Sequence, residues 1–122
     1  ALARARYPHA AILESVEAVF ASPRAYDLVV IAAANRAHVP LAHAALEAGL
    51  HALVDKPLAA TADEARALDR AASARGLVLS VYQNRRWDSD FLTLRRLLAE
   101  NALGAVHRFE SRFERWRPEL KG

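Results

Sequence analysis

Lys56 stands between Asp55 and Pro57 at the end of the apolar run HALV (51–54), in a chain with only one other lysine and fifteen arginines. A lysine at the end of a buried strand suits a particular chemistry. As an ammonium it stabilises a developing alkoxide; withdrawn from water, it can give up its proton near neutral pH and relay it. Arginine can supply the charge but not the proton, because its pKa is too high. Asp55 can hold hydroxyl groups or orient the amine, and Pro57 fixes the chain direction immediately after. Taken alone, the tripeptide reads as a surface lysine paired with Asp55.

Two more polar clusters follow apolar runs in the same way. Asn35-Arg36-Ala37-His38 comes after DLVVIAAA (27–34), and Gln83-Asn84-Arg85-Arg86 comes after LVLSVY (77–82). A polar residue after a strand is usually only a loop. In a doubly wound sheet, however, ligands bind beyond the carboxyl ends of the strands, and adjacent strand ends sit only about 5 Å apart. The three clusters are therefore expected to open on one cleft, with Asn35, Lys56 and Asn84 facing it.

The elements that must position them alternate. The three apolar runs read as buried parallel strands. Between them, Leu41, Ala44, Ala45 and Ala48 recur at helical spacing from His38 to Ala48, with Gly49 just past the end. Thr61 and Glu64 form a capping box opening a helix to Arg75, closed by Gly76. Outside this core, Ala1–Arg6 reads as a helix tail, Ala10–Leu13 as a short strand, and Ser15 as the N-cap of a helix over 16–21. Asp90–Glu100 places Phe91, Leu94, Leu97 and Leu98 on one helical face. In 105–117, His107, Phe109, Ser111 and Phe113 alternate with Arg108, Glu110, Arg112 and Glu114, the period of a long strand with one charged face.

The fold class expected is α/β: part of a doubly wound parallel sheet over residues 1–103, then the first strand of an α+β second domain over 104–122. The chain has 122 residues, 53% of them hydrophobic, enough for a core. It begins at Ala1 and contains no methionine, so a piece of a longer protein is expected. No apolar run is long enough for a membrane helix, and the absence of cysteine suits the cytoplasm. Residues 1–84 carry eight basic and eight acidic side chains; the whole +3 excess lies in 85–122, where nine basic and six acidic residues are interspersed. A nucleic-acid footprint is a dense basic stripe, so a nucleic-acid partner is not expected. His9, His43, His51 and His107 have no companions at metal-ligand spacing, and no metal site is expected.

The ordered series DLVVIAAANRAH, ALEAG and DKPLAAT, with VYQNRRWD and NALGAV after it, resembles the glucose–fructose oxidoreductase/inositol dehydrogenase (Gfo/Idh/MocA) family of NAD(P)-dependent oxidoreductases. The resemblance covers nearly the whole chain. Ala34 stands where the family usually has proline, and Asp55 where it usually has glutamate, which keeps the carboxylate but shortens its reach. No G-x-G-x-x-G is present, so the family's first strand and phosphate-binding turn would precede Ala1, and its later catalytic histidine motif would follow Gly122. The resemblance implies a Rossmann-type fold, NAD or NADP as cofactor, and hydride transfer to or from a secondary alcohol of a sugar, polyol or related small molecule. It makes Lys56 the catalytic residue, hydrogen-bonded to the reacting hydroxyl beside the nicotinamide. Asp55 would hold the nicotinamide-side ribose. Asn35 and His38 would lie beside the cofactor, Asn35 near its diphosphate or ribose, and Asn84 and Arg86 near the nicotinamide and substrate. Of Arg85 and Arg86 only one is expected to face the site, and Trp87 is expected to pack. Family members commonly dimerise through the second-domain sheet, so a homodimer or higher homo-oligomer is expected.

Two other functions fit the same residues. A non-catalytic sensor of nucleotides or sugars would keep this fold, but loss of the lysine would mark it, and Lys56 is present. A free-standing interaction module would leave a central strand without its neighbour and expose an apolar edge.

Overall fold

The computed structural model describes residues 2–119. The chain divides into two units, Ala1–Gln83 and Asn84–Gly122. The first opens with two short helices, α1 (Leu2–Arg6) and α2 (Val16–Phe20). Ser15 caps α2 as expected, its hydroxyl accepting the Ala18 N–H at 3.4 Å. Then strands and helices alternate: β1 (Leu28–Ile31), α3 (Asn35–Glu47), β2 (His51–Val54), α4 (Ala62–Ala74) and β3 (Leu79–Val81). The strands form one parallel sheet in the order β1-β2-β3, with Ile31 opposite Val54 and Val54 opposite Val81.

Sequence-local devices fix where the helices start and stop. At α4 the capping box forms in both directions: the Glu64 N–H donates to the Thr61 hydroxyl at 3.2 Å, and the Thr61 N–H to the Glu64 carboxylate at 3.0 Å. Such a cap stabilises a helix by about 1 kcal/mol. Gly49 and Gly76 follow α3 and α4 with φ of 80° and 64°, a conformation that disfavours any residue with a Cβ. There the Leu50 N–H reaches back to the Ala45 carbonyl at 2.9 Å and the Leu77 N–H to that of Ala72 at 3.0 Å, closing both helices alike. α3 begins three residues before His38, which puts Pro40 inside it. Pro40 has no N–H to offer the Arg36 carbonyl, so one intrahelical bond is missing.

The core lies between the sheet and α3 and α4. Ile31, Ala42, Leu46, Val54, Leu68 and Ala72 are buried together, and a smaller cluster of Ala45, Leu50 and Ala52 adjoins them. The continuous apolar run over β1 predicts a strand covered on both faces. Among the described residues only one face is covered: Ile31 is buried, whereas Leu28 and Val30 are 48% and 61% exposed. Parallel crossovers of one hand, running successively in one direction, place both helices on the same side of the sheet.

Ala10–Leu13, expected as a strand, forms none. Ile12 and Leu13 are exposed, and an apolar segment becomes a strand only when a neighbour completes its ladder.

In the second unit a turn over Asn84–Trp87 leads into α5 (Ser89–Ala99). Leu94 and Leu97 are half-buried; Phe91 and Leu98 are exposed. The long strand expected over 105–117 is not formed. The period-two spacing does put like positions on one side, since Glu110 pairs with both Arg108 and Arg112. What is missing is a partner strand among the described residues, and the side chains of Phe109, Phe113 and Trp116 remain exposed. Trp87, expected to pack, is 76% exposed.

Candidate active site

β2 is the middle strand, and its carboxyl end is anchored from both sides. The parallel ladder continues one residue past it, the Asp55 N–H donating to the Ile31 carbonyl at 2.9 Å. From the other neighbour, the Tyr82 N–H donates to the Val54 carbonyl at 2.9 Å. Lys56 is the next residue, and its side chain is exposed.

Asp55 does not pair with the Lys56 amine. Its carboxylate accepts the Lys56 backbone N–H at 2.8 Å, and among the described residues no ion pair involves Lys56. The surface ion pair that the tripeptide alone suggests is thus absent. The carboxylate steadies the backbone, and the amine is left free for another partner. The Lys56–Pro57 peptide is cis.

His38 is turned inward. It is 1% exposed and is the buried polar side chain of the core. Its Nδ1 lies 2.6 Å from the Pro57 carbonyl oxygen and its Nε2 3.1 Å from that of Ala33. The ring, expected beside a cofactor, faces backbone carbonyls of two loops, and the nitrogen that carries its proton donates to one of them. Neither carbonyl is visible in a sequence, so no residue pattern announces this contact. His51 has a similar unannounced role: its Nδ1 accepts the Val78 N–H at 3.0 Å and fixes the start of the path into β3.

Two helices begin on this edge of the sheet, and their first turns differ. α4 is closed by its capping box, whereas α3 follows Ala34, which has no side chain to cap it. The Ala37 N–H donates to the Ala34 carbonyl at 2.7 Å, which leaves the N–H groups of Asn35 and Arg36 without a cap, with the positive end of the helix dipole behind them. The exposed residues leading in, Ala32, Ala33 and Ala34, are small. A phosphate group suits such a place, and Asn35 is the helix's first residue. A dinucleotide thus fits the donors present here.

Asn84 and Arg86 belong to the second unit, in the turn after β3. Arg85 is committed there: its guanidinium pairs with Asp88 at 3.0 Å and lies 5.3 Å from the Phe113 ring centroid. Arg86 has neither an ion pair nor a side-chain hydrogen bond among the described residues. Among the described residues no group of three or more potential metal-ligating side chains converges, and no helix is long and apolar enough to cross a membrane.

Residues 1–83, the extent of the first unit, match the model of a family described as oxidoreductases with an NAD-binding Rossmann fold. The chain belongs to the GFO/IDH/MocA oxidoreductase family. Its cofactor is accordingly a nicotinamide dinucleotide, NAD or NADP. Over 118 residues the chain is 51% identical to the oxidoreductase YdgJ of Escherichia coli (strain K12), covering 97% of this chain and 34% of that protein. It is 37% identical over 115 residues to the scyllo-inositol 2-dehydrogenase (NADP(+)) IolW of Bacillus subtilis (strain 168), covering 94% of this chain and 32% of that one. The solved structure of the Bacillus subtilis protein yvaA superposes with a TM-score of 0.92 at 36% identity, over 98% of this chain and 35% of that one. The chain spans about a third of the length of these family members.

Proposed function

We propose that the full-length protein is an NAD(P)-dependent dehydrogenase acting on a secondary alcohol of a sugar, polyol or related small molecule. The observation that carries this reading is Lys56: an amine with no ion pair among the described residues, exposed at the carboxyl end of the central strand, on the sheet edge where the uncapped α3 begins. Ligands of open α/β sheets bind beyond that edge, and the similarity to an inositol dehydrogenase supports a polyol substrate.

Each residue then has a task. Lys56, as the free amine, accepts the proton of the reacting hydroxyl, and the ammonium so formed donates a hydrogen bond that stabilises the oxygen while hydride leaves the carbon; in the reverse direction the ammonium returns the proton. Asp55, with one carboxylate oxygen on the Lys56 N–H, has its other oxygen for the ribose hydroxyls next to the nicotinamide. Asn35 and the open first turn of α3 hold the diphosphate or the adjoining ribose. Asn84 and Arg86 bind near the nicotinamide carboxamide and the substrate. When bound, the nicotinamide accepts or returns the hydride. Residues 104–122 open a second domain that completes the substrate site and forms a homo-oligomer.

The reading is tested with the full-length protein, a panel of polyols and sugars, and each cofactor in turn. We expect reduced nicotinamide to accumulate with at least one polyol, from a protein that sediments as an oligomer at micromolar concentration. Cofactor binding without turnover of any alcohol would favour a nucleotide sensor, and a monomer would remove the oligomer.

A further inference from the structure

Lys56 carries four rotatable carbons and its amine has no partner among the described residues, so the amine is aimed only as well as its backbone is held. On the amino side that backbone is fixed by the Asp55 N–H on Ile31 and by the Asp55 carboxylate on the Lys56 N–H. On the carboxyl side the next anchored group is the Pro57 carbonyl, and what anchors it is the buried ring of His38 at 2.6 Å. The ring's second nitrogen lies 3.1 Å from the Ala33 carbonyl, but with the proton on Nδ1 it has none to donate there, so the hydrogen bond is the one to Pro57.

We propose that His38 is a positioning residue for Lys56. It touches neither cofactor nor substrate; its Nδ1–H, placed on the nitrogen with the shorter contact, donates to the Pro57 carbonyl and sets where the chain leaves the lysine. The inference rests on the role proposed for Lys56. A displacement of about 1 Å in a reacting group can cost about a hundredfold in rate, so the direction of this one backbone carbonyl has kinetic weight.

Substitution separates the Pro57 bond from mere occupancy of the pocket. In His38→Asn the amide nitrogen comes near the place of Nδ1 and can keep the Pro57 bond; in His38→Gln it reaches further, near Nε2, and loses it. In the full-length enzyme, His38→Asn is expected to stay within about threefold of wild-type turnover, and His38→Gln to fall by about 10- to 100-fold at saturating cofactor. Cofactor Kd should change by less than about threefold in either. Amide exchange at Lys56 and Leu58 should quicken in His38→Gln and not in His38→Asn. In a Lys56→Ala background, His38→Gln should cost nothing further, because its effect passes through the lysine. Equal turnover in the two His38 variants, or a full additional loss in the Lys56→Ala background, would overturn the proposal and leave His38 a packing residue. Near-wild-type turnover of Lys56→Ala itself would remove the role of the lysine and this inference with it. Loss of turnover in Lys56→Ala with none in His38→Gln would remove the inference alone.

Discussion

Lys56→Ala in the full-length enzyme is expected to lower turnover by about 100- to 10,000-fold, the usual loss when an acid–base group is removed. The amine is exposed at the end of the central strand and has no ion pair among the described residues, while Asp55 is engaged with the backbone, so its deletion should disturb little else. Lys56→Arg should fare almost as badly. The guanidinium keeps the charge and can stabilise an alkoxide, but it does not release a proton near neutral pH and so cannot relay one. Cofactor affinity should change far less than turnover in both variants. Steady-state kinetics beside a fluorescence titration of the cofactor separates the two effects. A large loss of cofactor binding with normal turnover at saturation would make Lys56 a cofactor ligand instead.

The second large effect concerns the platform under the site. Leu46 is completely buried, against the sheet and α4, with Ile31, Val54 and Leu68. Two of the five residues buried with it are alanines, Ala42 and Ala72, which have no side chain long enough to shift into a hole. Leu46→Ala should therefore destabilise the protein by about 2–5 kcal/mol. That is a large part of the about 5–15 kcal/mol by which a domain is usually stable. Urea denaturation of the full-length protein reads it directly. A loss below about 1 kcal/mol would mean that the site collapses more easily than this packing implies.

How much of this was legible in the sequence differs from element to element. The three strands show because a strand of a parallel sheet is mostly apolar, and DLVVIAAA, HALV and LVLSVY are mostly apolar runs, interrupted only by Asp27, His51 and Ser80. α4 shows at both ends because Thr61, Glu64 and Gly76 act within a few residues of where they stand. α3 was displaced by three residues: the apolar repeat becomes evident only from His38, and Pro40 is most at ease in a first turn. Residues 105–117 fail for a different reason. Period two tells which side chains share a face, and Glu110 does meet Arg108 and Arg112, but a strand exists only with a partner. The apolar run of β1 likewise predicts two covered faces without saying what covers them.

The candidate site divides in the same way. The ends of strands locate Asn35, Asp55 and Lys56, because the chain reverses there and polar residues follow apolar ones. The inward turn of His38 could not be read, because its partners are two carbonyl oxygens that every residue possesses. That Asp55 would steady the Lys56 backbone in place of the amine was hidden for the same reason.

The central claim is that this fold serves hydride transfer from an alcohol carbon. It is tested most directly by giving the full-length protein oxidised cofactor and a polyol deuterated at its carbinol carbons, then weighing the nicotinamide product. The account predicts one deuterium in the reduced ring with the wild-type protein and almost none formed by Lys56→Ala in the same time. Unlabelled reduced cofactor, or labelled cofactor formed equally fast without Lys56, would contradict it.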